Sequence, residues 1–227
     1  MNQISLKLGF WAAAGSAVTY IIFTVCFVAI LAVQPLFVWT TMADFVVYAQ
    51  GNGRFFQYLA QASMLIFGVF YVVALNSIHE IAPADKKILT RNSLSFGLIF
   101  ATLIGVNYFV QISAVRFNLQ MGQFAGLEQV LQANPLSAMS AINMLGFTLF
   151  FGLSSLFVAP VFSGGRLEMV IRTAFLANGV FVLVGGVSYL FQWLIVLFLT
   201  INLGMGAAMM VAVVALAIWF RRLMGTL

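Results

Sequence analysis

The sequence predicts an all-α polytopic membrane protein, a six-helix transmembrane bundle carrying two short external amphipathic helices. Three observations predict it. Of the 227 residues, 63% are hydrophobic and 7% are charged, against about 25% charged in an average soluble domain. Apolar runs of about 20 residues, the length that crosses a bilayer, recur along the whole chain. The basic residues fall between those runs with a strong bias to every second connection. This composition excludes an ordinary soluble enzyme, a disordered chain and a nucleic-acid-binding domain, so no nucleic-acid partner is expected.

Spans are predicted at residues 9–33, 56–75, 94–115, 138–162, 169–188 and 194–220 of a single integral membrane domain, 1–227. The first apolar run, from Phe10 to about Val33, is too long for a cleaved leader and is expected to remain as a span. The last run, Met169 to Phe220, is too long for one span. Ser188-Tyr189-Leu190-Phe191-Gln192-Trp193 divides it, because Tyr and Trp favour the membrane interface and a tight hairpin fits there.

With six spans, Lys7, Lys86, Lys87, Arg91, Arg166, Arg172, Arg221 and Arg222 lie on one side, and Arg54 and Arg116 on the other. The positive-inside rule then puts both termini in the cytoplasm, in a multi-pass protein of the bacterial inner membrane. No ionisable residue lies at the centre of a span. Ion-coupled transporters and voltage sensors commonly keep such residues there, so the pattern argues against those classes.

Two long connections lie on the outer side. In the first, Pro35 ends span one. Thr41-Met42-Ala43-Asp44 resembles a capping box with Asp in place of Glu, which predicts a short helix from Met42 to about Ala49. Gly51-Asn52-Gly53 then turns the chain into span two. In the second, Phe124, Leu127, Val130 and Leu131 recur at helical spacing between Phe117 and Pro135, which predicts an amphipathic helix of about three turns. The pair could lie flat in the interface or fold over the bundle as a lid. Asp44 and Arg54, with Arg116 and Glu128, are candidate lid or ion-pair residues, because unpaired charges are costly near hydrocarbon.

Uncharged polar groups form stripes within the spans. Gln57 and Gln61 share a face of span two, Asn107 and Gln111 a face of span three, and Ser140, Asn143 and Thr148 a face of span four. A lipid-facing amide would leave its polar atoms unsatisfied, so these stripes should point inward. Gln61, Asn107, Gln111 and Arg116 are the candidate ligand-binding residues. Gly204, Ala208 and Ala212 recur every fourth residue in span six and form a small-residue ridge for helix packing. Its partner is expected within the chain, with a homodimer seam as the alternative.

Catalytic chemistry finds little support. The lone Cys26 and lone His79 exclude an intrachain disulfide, a multi-cysteine metal site and a two-histidine haem. His79-Glu80 lacks the second histidine of a zinc protease motif. No catalytic residue, metal or cofactor is assigned, and the protein is not expected to be an enzyme.

The run Asn107-Tyr108-Phe109-Val110-Gln111-Ile112-Ser113-Ala114-Val115-Arg116, followed by Asn134-Pro135, resembles a loose set of uncharacterised bacterial six-span membrane proteins. The resemblance covers roughly a fifth of the chain. It implies a six-span fold and carries no activity. The expected function is non-catalytic binding of a lipid or small amphipathic ligand in an outward-facing cavity within the bundle, with membrane lipids as the partners. The alternatives are an accessory subunit with a membrane-protein partner and an uncoupled small-molecule transporter.

Overall fold

The computed structural model describes residues 3–35 and 37–225. Six helices are long and apolar enough to cross a membrane: α1 (Gln3–Val33), α3 (Phe55–Ile81), α4 (Ala84–Met121), α5 (Ala138–Val161), α6 (Arg166–Leu190) and α7 (Leu194–Met224). The short helix α2 (Met42–Gly51) lies between α1 and α3. The protein is therefore an all-α, multi-pass bundle. Each long helix packs on its neighbours in the chain, and α7 closes back onto α1. The result is a ring in sequence order. The end that carries Gln3, Gly225 and eight of the ten basic residues is called the basic end below, and the opposite end the far end.

The helices run past the predicted spans because helix propensity continues beyond the hydrocarbon. Residues Asp85 to Ser93, expected as connection, form the first turns of α4. Charges at the basic end satisfy orphan helix termini. The Lys87 ammonium donates to the His79 and Glu80 carbonyls at the end of α3, and Lys86 donates to the Val161 carbonyl at the end of α5. Cations at C-terminal carbonyls also complement the helix dipole. Glu168 does the converse in the first turn of α6. Its carboxylate accepts from the Ser163 and Gly164 amides at 3.1 and 2.7 Å, and from the Trp219 indole of α7 at 3.2 Å. Glu168→Ala is expected to lower stability by about 1–2 kcal/mol, read as thermal unfolding in detergent, with Glu168→Gln falling between it and the parent.

The break between α6 and α7 lies where the aromatic hairpin predicts it. Phe191-Gln192-Trp193 reverses the chain, with Gln192 at φ 57 and the Trp193 amide donating to the Ser188 carbonyl at 2.8 Å. Along the ring, glycine lets helices approach closely. A Cβ on Gly179 of α6 would sit 2.6 Å from Leu156 and 3.1 Å from the Gly152 carbonyl oxygen of α5. Gly204 faces the Phe181 ring of α6, while Ala208 and Ala212 are buried. The ridge on α7 thus packs inside the chain.

The middle of the ring is filled. Phe67, Tyr71, Phe100, Phe147 and Phe151 form an aromatic stack, closest between Phe100 and Phe151 at 4.3 Å between ring centroids. Below it, Ser93 and Ser154 exchange hydrogen bonds, each hydroxyl donating to the other's carbonyl at 2.8 and 2.9 Å. The Tyr71 hydroxyl meets Ser154 Oγ at 3.0 Å. A polar seam of this kind ties α3, α4 and α5 on the basic side of the stack.

The two external segments differ from each other. Helix α2 forms as its cap predicts, with Thr41 Oγ1 accepting from the Asp44 amide at 3.2 Å. The second segment does not form a three-turn helix. Gly122 and Gly126 take left-handed φ values of 70 and 78, and the stretch between α4 and α5 holds one 3₁₀ turn, Leu127–Gln129. Left-handed residues end a right-handed helix, and the helical spacing of apolar residues is used instead to seat a folded loop. Phe45 of α2, Val115 of α4 and Leu127 and Leu131 of the loop make a small apolar core, so both segments pack together over the far end of the bundle.

Candidate functional site

The far half of the ring encloses a cavity of about 660 Å³. Its walls come from α1 (Tyr20, Phe23, Phe27), α3 (Gln57, Gln61), α4 (Tyr108), α5 (Asn143, Met144, Phe147) and α7 (Ile201, Met205, Met210). Gln132 and Ala133 of the external loop reach it from above. The loop is therefore a roof, and the aromatic stack that includes Phe147 is the floor. No Asp, Glu, Lys, Arg or His is among the lining residues.

Several of its polar groups converge at one side. The Gln61 amide Nε2 points at Gln132 Oε1 at 3.5 Å, a long contact, and Gln61 Oε1 is buried with no hydrogen-bond partner. Asn107 Nδ2 donates to Asn143 Oδ1 at 3.0 Å. That bond turns the Asn143 amide nitrogen away from Asn107, on a residue that lines the cavity. The Tyr108 hydroxyl lies beside the Gln132 amide. The site thus offers amides and phenols set in an apolar wall, the usual composition of a small-molecule pocket, and its volume falls within the ~300–1,000 Å³ of such pockets.

Three of the long helices are locally widened around this cavity. π-helical segments occur at Gln111–Val115 in α4, Gly146–Phe150 in α5 and Phe198–Met205 in α7. A π-turn adds a residue without adding a turn and occurs frequently at functional sites. All three lie in the far half, and the last two contribute lining residues.

The four candidate ligand-binding residues separate. Gln61 lines the cavity. Asn107 is fully buried behind Asn143 and orients it. Gln111 faces the loop: its Nε2 donates to the Val130 carbonyl at 2.7 Å and its Oε1 accepts from the Gln132 amide at 3.1 Å. It holds the roof and does not line the cavity. Arg116 lies outside the lining, stacked over Phe117 at 4.9 Å and Tyr58 at 5.9 Å from the ring centroids.

The charges at the far end do not pair with one another. Arg54 sits between the Phe45 and Tyr58 rings, 5.3 Å from each centroid, and its Nε donates to Gln57 Oε1 at 3.0 Å. The cation–π contact, with burial lowering the Arg54 pKa, pins α2 onto α3. Glu128 is exposed, and its backbone carbonyl accepts from Asn134 Nδ2 at 2.9 Å.

Asp44 accepts from the Thr40 and Thr41 hydroxyls at 2.6 and 2.7 Å, and these bonds hold its pKa below the ordinary carboxylate value. A depressed folded-state pKa contributes stability above the unfolded value that is lost as pH falls through the folded one. The first turn of α2 is thus expected to keep its amide protection from neutral pH down to the range where free aspartate titrates, and to lose it beneath that range. Hydrogen exchange at Phe45 to Tyr48 across acid pH checks this, and Asp44→Ala should show the loosened turn at every pH.

The sequence groups Asn143 with a polar face of span four and does not single out Gln132 as a site residue. It does not single out Tyr108 either. The signal for Tyr108 is its position, one after Asn107 and three before Gln111 on the inward face of α4. No family model, curated protein or solved structure matches this chain.

Proposed function

We propose that the chain is a non-catalytic protein of the bacterial inner membrane, with both termini in the cytoplasm, that binds a lipid or small amphipathic ligand in the cavity at its outward end. The observation that carries this reading is the buried, unpartnered Gln61 carbonyl, on a residue that lines a largely apolar cavity with Asn143 and Gln132. An unsatisfied buried acceptor costs about 1–3 kcal/mol, and a ligand hydroxyl or amide donor would remove that cost. The eight-to-two bias of basic residues to the end that carries Gln3 and Gly225 supports the orientation. The aromatic floor below the cavity favours a binding protein over a conduit.

Native mass spectrometry of the protein purified in mild detergent tests the reading. A lipid-sized adduct on the monomer is expected. Gln61→Leu should lower its occupancy about tenfold, the loss that follows from one hydrogen bond of about 1.4 kcal/mol, with the unfolding temperature unchanged or raised. Protein that carries no adduct, and takes up none after delipidation and exposure to monoacylglycerol, would overturn it.

A further inference from the structure

We propose that the cavity has a lateral mouth between α1 and α7 that opens into the outer leaflet, and that an uncharged, single-chain amphiphile enters through it directly from the bilayer. This rests on the binding reading above and adds the route and the ligand class.

The mouth follows from how the ring closes. Helix α1 packs along residues 206–224 of α7, while residues 194–205 pack on α6. The far halves of α1 and α7 therefore diverge. Thr24 of α1 and Asn202, Leu203 and Ala207 of α7 are exposed, and all four also line the cavity. A lining residue is exposed when the wall beside it is open. The outward neighbours of this opening, Val25, Val28 and Leu199, are exposed aliphatic residues, as a surface against acyl chains requires. Thr24 lies nine residues inside the far end of α1 and Asn202 eight residues inside that of α7, a depth of about 12–14 Å at 1.5 Å per residue. The hydrocarbon core is about 30 Å thick, so the mouth lies within one leaflet and away from the aqueous boundary.

The polar groups at the mouth specify the ligand. Thr24 donates to the Tyr20 carbonyl of its own helix at 2.9 Å, and Asn202 Nδ2 to the Phe198 carbonyl at 3.3 Å. The Thr24 hydrogen and one of the two Asn202 amide hydrogens are used, and the Asn202 Oδ1 acceptor makes no hydrogen bond. An amide carbonyl at this depth is costly unless a donor meets it. A passing hydroxyl or amide headgroup is such a donor. An ionised headgroup would enter a cavity with no residue of opposite charge, where an unpaired charge is heavily penalised. The alkyl chain lies against Phe23, Phe27 and Met210, and the volume suits one chain with a small head.

Uptake kinetics in phosphatidylcholine liposomes test the proposal, using a photoactivatable monoacylglycerol as the neutral probe and a photoactivatable lysophosphatidic acid as the ionised one. The neutral probe is expected to label residues lining the cavity, with at least tenfold more label than the ionised probe. Thr24→Trp and Ala207→Trp, on opposite rims and both at exposed positions, should each slow labelling fivefold or more, while Gln61→Leu should lower the end-point without slowing the approach to it. If neither tryptophan variant slows uptake while Gln61→Leu still lowers the end-point, the ligand enters through the roof, the lateral mouth is wrong and the binding reading stands. Equal labelling by both probes overturns the uncharged ligand class. Absence of cavity labelling by either probe removes the binding reading and the mouth with it.

Discussion

Gly179→Val is expected to destabilise the bundle by about 3 kcal/mol. The position lies at the crossing of α5 and α6, where even a Cβ would stand 2.6 Å from Leu156 and 3.1 Å from the Gly152 carbonyl oxygen. Leu156 can change rotamer, but the backbone oxygen cannot move without shifting α5. Gly152 faces α6 reciprocally, its own Cβ position 2.9 Å from Val182, so relief by sliding one helix creates a clash at the next turn. Gly53→Val, at a glycine with open space around the Cβ position, is the control. Thermal unfolding in detergent should separate the two clearly. Equal loss from both would show that the α5–α6 crossing is not close-packed.

Gln111→Leu is expected to cost about 2 kcal/mol and to release the roof. The side chain satisfies two backbone groups of the external loop at once, the Val130 carbonyl and the Gln132 amide. Leucine preserves the volume and leaves both unpaired. An average interhelical hydrogen bond within a membrane protein is worth only about 0.6 kcal/mol, because the separated helices find other partners. A folded loop at a helix end has fewer alternatives, since its backbone conformation is set by these two bonds. Hydrogen exchange should rise across residues 122–137 and remain unchanged in α5 and α6. A rise spread evenly over the bundle would mean that Gln111 acts through helix packing and not through the loop.

The architecture was largely legible because its causes are local. Apolar run length located all six spanning helices, Thr41 announced the start of α2, and the Tyr189–Trp193 aromatics marked the hairpin between α6 and α7. The second external segment misled for a local reason as well. Its apolar spacing fits a helix, but Gly122 and Gly126 offer left-handed geometry at no steric cost, and the loop uses it. The site was less legible. Choosing Gln61 needed only the inward face of one helix. Assigning Gln111 to the roof required knowing that the loop folds back over α4. The charges were misread for a related reason. Proximity in sequence suggested Asp44 with Arg54 and Arg116 with Glu128, but threonine hydroxyls lie closer to the aspartate, and aromatic rings enclose Arg54 and flank Arg116.

The ring in sequence order has a consequence for how the protein is made. Every extensive interface except one joins long helices that leave the ribosome consecutively, so each can dock on its predecessor as it is released into the bilayer. The seam between α1 and α7 is the exception. It must wait for the last segment to be translated, and until then the first helix presents its unsatisfied face to lipid. A chain shortened before residue 206 would keep the docking of α1 through α6 and lose closure together with the packing of residues 206–224 on α6. The insertion intermediate and the finished protein thus differ at the seam that borders the cavity, and quality-control proteases that sample unclosed bundles would have one place to look.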